Sequence, residues 1–185
     1  ADAHHETANR IAHLYKVPAY LSYQEMLDKE KPDLVSIATP TSLHYATAID
    51  VLGQGVHVLL EKPIAATLDE ATEIVHCADQ NGQHLAIGHI ERFNPAVIEL
   101  KRRLEEGELG NIYQFHARRL SPYPDRIQDA GVILDLAIHE LDVMTCLDQT
   151  PVQRIYAETK KQMQPHREDM LSGLIRFESG AIGVL

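Results

Sequence analysis

From residue 3 to about residue 90, short apolar runs alternate with stretches in which apolar side chains recur every three or four positions. The runs have the pattern of buried strands and the stretches that of amphipathic helices. Helices are therefore expected over 4–15, 22–29, 41–52 and 68–80, and strands over 34–38, 56–60 and 84–88. Brief apolar strands separated by helices are the signature of a parallel sheet covered on both faces. Local punctuation agrees with this phasing. Thr67 precedes Leu68-Asp69-Glu70 as an N-cap with acids in the first turn, and Gly82 stops that helix two residues before the next strand.

After Asn94-Pro95 a charged helix runs to about Glu106, closed by Gly107 and Gly110. The period then changes to that of longer alternating strands, over 112–120, 152–160, 171–177 and 181–185. Glu178-Ser179-Gly180 separates the last two as a hairpin-like turn. An apolar helix over 131–147 lies between the first and second of them. Strands joined by hairpins with one helix laid across them point to an α+β domain with a mostly antiparallel sheet. The domains expected are residues 1–90 and 91–185.

That apolar helix carries a polar stripe. At about 100° per residue, Asp135, His139 and Asp142 fall within an arc of roughly 60°, while Ile133, Leu134, Leu136, Ile138, Leu141 and Val143 surround them. Unpaired polar groups on a buried helix are costly, so the stripe must meet a partner, another charge or a ligand. A second candidate is Glu61-Lys62-Pro63, which follows the apolar run 57–60. It places an ammonium at the carboxyl edge of a parallel strand, where open α/β sheets bind ligands. An imidazole suits proton movement near neutral pH, and an adjacent carboxylate raises its basicity.

Composition narrows the options. The chain has 185 residues, 44% of them hydrophobic and 24% charged, which is the balance of a globular domain with a sizeable core. Its formal charge of -10 argues against nucleic acid or an anionic membrane as partner, because both require a basic face. No metal is expected: His4, His5, His57, His84, His89 and His116 have no paired ligand spacing, no HExxH is present, and Asp135 with His139 lacks a third ligand. The absence of GxSxG argues against a serine hydrolase. Cys77 and Cys146 have no CxxC spacing and read as reduced thiols of a cytoplasmic protein, with no signal peptide or apolar run of membrane-spanning length. With no initiator Met and an end inside the apolar run Gly183-Val184-Leu185, the chain reads as a fragment cut at both ends.

Four motifs occur in order: Ala38-Thr39-Pro40-Thr41-Ser42-Leu43-His44, Leu60-Glu61-Lys62-Pro63, Gly88-His89-Ile90-Glu91-Arg92-Phe93-Asn94-Pro95, and Asp135 with His139. In content and spacing the chain resembles the glucose-fructose oxidoreductase/inositol dehydrogenase/MocA (Gfo/Idh/MocA) family. The resemblance implies a Rossmann-type parallel sheet, here without its first strand and Gly-rich turn, followed by the α+β domain. Gly53-Gln54-Gly55 follows a helix instead of a strand and is a helix stop, not a phosphate cradle.

The resemblance also implies roles. Lys62, His139 and Asp135 are the expected catalytic residues, with the proton assigned jointly to Lys62 and His139. Asp2, Thr39, Pro40, His44, Glu61, Lys62 and Arg92 are expected around NAD, with NADP left open. Asp2 would hydrogen-bond the adenosine ribose, or serve as a helix N-cap; Glu61 orients the lysine or is a rim charge; Arg92 touches cofactor or forms a domain-interface ion pair. Substrate contacts are expected from Lys62, Asn94, Lys101, Arg119, Arg126, Asp135 and His139. On a strand Arg118 and Arg119 point to opposite faces, so at most one of them meets the cleft.

The implied activity is NAD(P)-dependent hydride transfer between a sugar secondary hydroxyl and nicotinamide. Gly88 to Val97 and Arg118-Arg119-Leu120-Ser121-Pro122-Tyr123 resemble the branch acting at C3 of UDP-N-acetylglucosamine, whose 3-keto product leads to amino sugars of cell-surface polysaccharides. The alternatives are an inositol or simple sugar dehydrogenase, and a nucleotide- or sugar-sensing module without turnover. A homo-oligomer formed through the second sheet is also implied.

Overall fold

A computed structural model of the chain describes residues 1–120, 130–163 and 165–185. The first half contains helices α1 (His5–Tyr15) and α2 (Tyr23–Glu30), strand β1 (Leu34–Ile37), α3 (His44–Gly53), β2 (His57–Leu60), α4 (Leu68–Asn81) and β3 (Leu85–Ile87). The strands form a parallel sheet in the order β1-β2-β3. Thr67 is the N-cap of α4 as expected, and the cap is a reciprocal box, with Glu70 N–H donating to Thr67 Oγ1 and Thr67 N–H to Glu70 Oε2. Gly82 closes α4 in the left-handed conformation, φ 64°.

One expectation fails here. The sheet is covered on one face, not two. Val35, Ile37, Val58, Leu60, Leu85 and Ile87 pack toward the core that α2, α3 and α4 complete with Leu27, Leu52 and Ile74. Ser36, Leu59 and Ala86, adjacent on the other face, are exposed. The reason is handedness: β1, β2 and β3 advance across the sheet in one direction, and two right-handed crossovers in the same direction place both helices on the same side. Short apolar strands are therefore compatible with an open face.

The second half contains α5 (Pro95–Glu105), β4 (Gln114–His116), a π-helical turn (Ile133–Ala137) continuous with α6 (Ile138–Asp148), then β5 (Val152–Lys160), β6 (Met170–Phe177) and β7 (Ile182–Val184). Its sheet runs β4-β7-β6-β5, parallel at β4-β7 and antiparallel elsewhere. β4 is far shorter than the run 112–120 predicts. Helix α6 lies on one face, where Met144 joins Ile175, Phe177 and Ala181 in a small core. Gly183 permits this approach, since a Cβ there would sit 2.9 Å from Met144 Sδ. On the opposite face Tyr156, Leu174 and Met170 are exposed. Among the described residues no helix is long and apolar enough to cross a membrane.

Candidate active site

The carboxyl ends of β1, β2 and β3 are drawn together just beyond the sheet. Glu61 N–H donates to Ile37 O at 2.9 Å, and Gly88 N–H to Leu60 O at 2.7 Å. Gly88 is needed for this: a Cβ there would fall 3.0 Å from Glu61 Oε2 and 3.3 Å from Glu61 Cα. Lys62 follows directly and reaches out of the first half. Its Nζ donates to the main-chain oxygen of Asp135 at 2.8 Å and to Asp135 Oδ1 at 3.1 Å. Both side chains are largely shielded, at 18% and 17% exposure, so water screens this pair less than a surface pair.

Asp135 sits in the π-helical turn, where Ile138 N–H donates back to Ile133 O, five residues earlier. A π-turn within a helix shifts the phase of everything after it, so the 100° spacing that places Asp135, His139 and Asp142 on one stripe does not hold across this segment. The three divide their partners. Asp135 takes Lys62; Asp142, buried, takes Arg92 in a bidentate contact, Nε to Oδ2 2.9 Å and Nη2 to Oδ1 2.5 Å. His89 Nδ1 lies 3.6 Å from Asp142 Oδ1, and it is buried without a hydrogen-bond partner.

His139 lies in the field of both halves. Burial pushes its imidazole below the ordinary value of 6.5, and the charges of Lys62 and Arg119 push it further, against the opposing pull of Glu91 and Asp135. Asp135 does raise the basicity of this imidazole, as expected of a neighbouring carboxylate, but burial and the two cations outweigh it and Glu91, and the net shift is downward. The uncharged form of the ring is thereby favoured.

Arg119 is clamped between carboxylates. Its Nε donates to Glu140 Oε1 at 2.6 Å, and its Nη2 lies 3.5 Å from Glu91 Oε1. The Asn94 amide and then Arg119 hold the Glu91 carboxyl below its ordinary range. Arg119 lies past the end of β4, so strand alternation does not govern it. The sequence offered little warning of Glu140 and Glu91, each merely the neighbour of a residue already singled out.

The remaining expected residues have other partners. His44 is buried; its Nδ1 lies 2.8 Å from Pro63 O and its Nε2 2.9 Å from Thr39 O. It joins the turn after β1 to the turn bearing Lys62. Thr39 and Pro40 are exposed at the end of β1. Glu61 Oε2 accepts from the main-chain N–H of Lys62 at 3.3 Å. Arg92 takes the ion-pair role. Asn94 caps α5 by accepting from Ala96 N–H at 3.0 Å and donates to Glu91 at 3.1 Å. Lys101 pairs along α5 with Glu105 at 3.8 Å. Asp2 accepts from His4 N–H at 2.8 Å, two residues ahead of the N-cap position that His4 itself occupies, and borders a cavity of about 150 Å³ with Tyr20, Ala8 and Ile11. Arg126 lies outside the described residues. Among the described residues no cluster of three or more His, Cys, Asp or Glu is arranged to hold a metal.

Thr39, Lys62 and Gly88, gathered just beyond the carboxyl ends of three parallel strands, place the chain in the dinucleotide-binding α/β class. Residues 1–89 match the family described as "Oxidoreductase family, NAD-binding Rossmann fold", and residues 97–185 the "GFO/IDH/MocA C-terminal domain". The chain belongs to the Gfo/Idh/MocA oxidoreductase family. It is 37% identical, over 79% of its length and 45% of the relative's, to the UDP-N-acetylglucosamine 3-dehydrogenase of Acidithiobacillus ferrooxidans. A solved structure of that dehydrogenase, GnnA, matches 98% of the chain and 58% of its own length at 32% identity and a TM-score of 0.86. The WlbA dehydrogenase of Bordetella pertussis, solved with NADH and UDP-GlcNAcA, matches 100% of the chain and 56% of its own length at 28% identity and a TM-score of 0.86. The chain spans about half the length of these relatives.

Proposed function

We propose that this chain carries the proton-handling residues of an NAD-dependent dehydrogenase acting on a secondary hydroxyl of a sugar, with C3 of a UDP-N-acetylhexosamine as the substrate position. The observation that carries the reading is the Lys62 ammonium held on Asp135 at the carboxyl end of β2 beside a neutral His139. NAD, when bound, supplies the hydride acceptor. Thr39, Pro40 and Lys62, at the carboxyl ends of β1 and β2, would hold its nicotinamide end, and the carboxylate of Asp2 its adenosine ribose.

The chain's own residues orient the carbinol and take its proton. A hydroxyl entering between Lys62 and His139 donates to the neutral imidazole, while the ammonium favours the developing alkoxide. Asp135 fixes the ammonium through two oxygens, so its direction is set before substrate arrives. The names of two relatives favour a UDP-linked amino sugar, and a place in polysaccharide precursor synthesis belongs to this reading. An inositol or simple sugar is the second reading. It is favoured by Arg119, whose charge is already taken by Glu140 and Glu91 and is not available for a diphosphate. The division into domains near residue 90, a cytoplasmic location and assembly through the open face of the second sheet belong to the same reading.

The test uses the full-length protein with NAD and, separately, UDP-N-acetylglucosamine, its 3-position-oxidisable uronic acid analogue, myo-inositol and glucose, followed by nicotinamide absorbance. Turnover with one sugar is expected, and Lys62→Ala should lower kcat by about 10²–10⁴-fold. NAD binding without turnover of any of these would replace the dehydrogenase with a sensing module.

A further inference from the structure

The π-helical turn that presents Asp135 begins without a cap of its own. Val132 occupies the N-cap position and offers no side-chain hydrogen bond, although the first N–H groups of a helix have no partner within it. Those groups are met from another element. Val132 N–H donates to the main-chain oxygen of Glu168 at 2.9 Å, and Ile133 N–H to Glu168 Oε1 at 3.4 Å. Glu168 belongs to the connection between β5 and β6 and lies flat on Gly131. A Cβ at Gly131 would fall 2.0 Å from Glu168 Oε1 and 2.3 Å from its Cδ.

The connection is itself anchored. Asp169 N–H donates to Lys160 O at 3.0 Å, the Asp169 carboxylate accepts from the Gln162 and Met163 N–H groups, and Lys161 Nζ reaches His166 O at 3.2 Å. From Gly131 the path to the site is one hydrogen bond: Asp135 N–H donates to Gly131 O at 3.0 Å. We propose that Glu168 is a positioning residue, capping the turn from the β5–β6 connection so that the carbonyl and carboxylate of Asp135 stay aligned on Lys62. Gly131 is the position whose missing side chain makes room for that cap.

The inference rests on the proposed role of Lys62 and Asp135, and its test separates the two. In the full-length protein, hydrogen exchange is measured over residues 131–137, together with kcat and NADH affinity, for Glu168→Ala, Glu168→Gln, Gly131→Ala and the double variant Gly131→Ala with Glu168→Ala. Glu168→Ala should raise exchange at Ile133 about fivefold, the size of a lost helix cap, leave the Val132 bond to the main-chain oxygen of residue 168 in place, and lower kcat by a similar factor with NADH affinity unchanged. Glu168→Gln should restore most of both, because its amide oxygen still accepts from Ile133 N–H. Gly131→Ala should reproduce the loss, and the double variant should be no worse than either single one, since the new Cβ displaces a carboxylate that is no longer there.

Unchanged exchange in Glu168→Ala overturns the cap whatever the enzyme's activity. Raised exchange with unmoved kcat overturns the positioning role, and additive losses in the double variant overturn the link through Gly131. If no sugar is turned over, the exchange readings still decide the cap, and the failure belongs to the proposed reaction.

Discussion

The two sheets of this molecule are built to different standards. In the first half eleven buried residues, from Leu27 to Ala78, close around β1, β2 and β3, and Leu52, Leu60 and Ile74 have no exposed surface. In the second, four buried residues under α6 make the core, and every residue of β5 is exposed. The first half is thus a firm mount for Lys62. The second presents Asp135 and His139 from a helix whose placement depends on polar contacts reaching across the molecule: Lys62 to Asp135, Arg92 to Asp142, and Arg119 bridging Glu91 and Glu140. Packing holds the lysine, and charge holds its partners.

This contrast can be broken at either end. The largest effect is expected from Leu52→Ala, which should cost about 2–5 kcal/mol of stability as a core cavity. Hydrogen exchange should quicken through Leu34–Ile37 while Met170–Phe177 keeps its protection; equal loss in both sheets would show one shared core. Next comes Asp142→Ala, which leaves the Arg92 guanidinium without its carboxylate and should cost about 1.5–3 kcal/mol in chemical denaturation. Its kcat should fall with it, because α6 carries His139. A loss of stability with kcat intact would place the alignment of α6 elsewhere.

The smallest effect is a slope. His139 titrates below its ordinary 6.5 in the folded protein, through burial first and then Lys62 and Arg119. The unfolded chain therefore binds a proton that the folded one refuses, and the stability this residue contributes is lost as pH falls below about 6.5. His139→Gln should flatten the decline in that window, measured as denaturation midpoints across acid pH. A variant that declines as steeply as the parent would assign the slope to other groups.

The elements legible in the sequence were those fixed by local chemistry. The Thr67 cap and Gly82 bound α4 to within a residue of the reading, and the apolar run before Glu61 put Lys62 at a strand end. What was not legible depends on the third dimension. Leu59 and Ala86 look like buried strand residues until the handedness of the crossovers leaves their face open. The π-turn has no composition of its own, so Asp135 and Asp142 read as one stripe although they serve different cations. The two carboxylates that Arg119 meets, Glu91 and Glu140, come from separate elements, so its pairing could not be read from the sequence. Asn94 sat in the right motif, yet its amide is used as a helix cap.

The joint between the halves has a further property, sensitivity to ionic strength. At about 0.15 M salt, charges in contact with water are screened over roughly 8 Å, while shielded ones are screened much less. Arg119, at 40% exposure, is open to the ions in a way that the Lys62–Asp135 contact, below 20% on both sides, is not. Rising salt should therefore weaken the outer clamp before the inner pair, while the lysine keeps its aim.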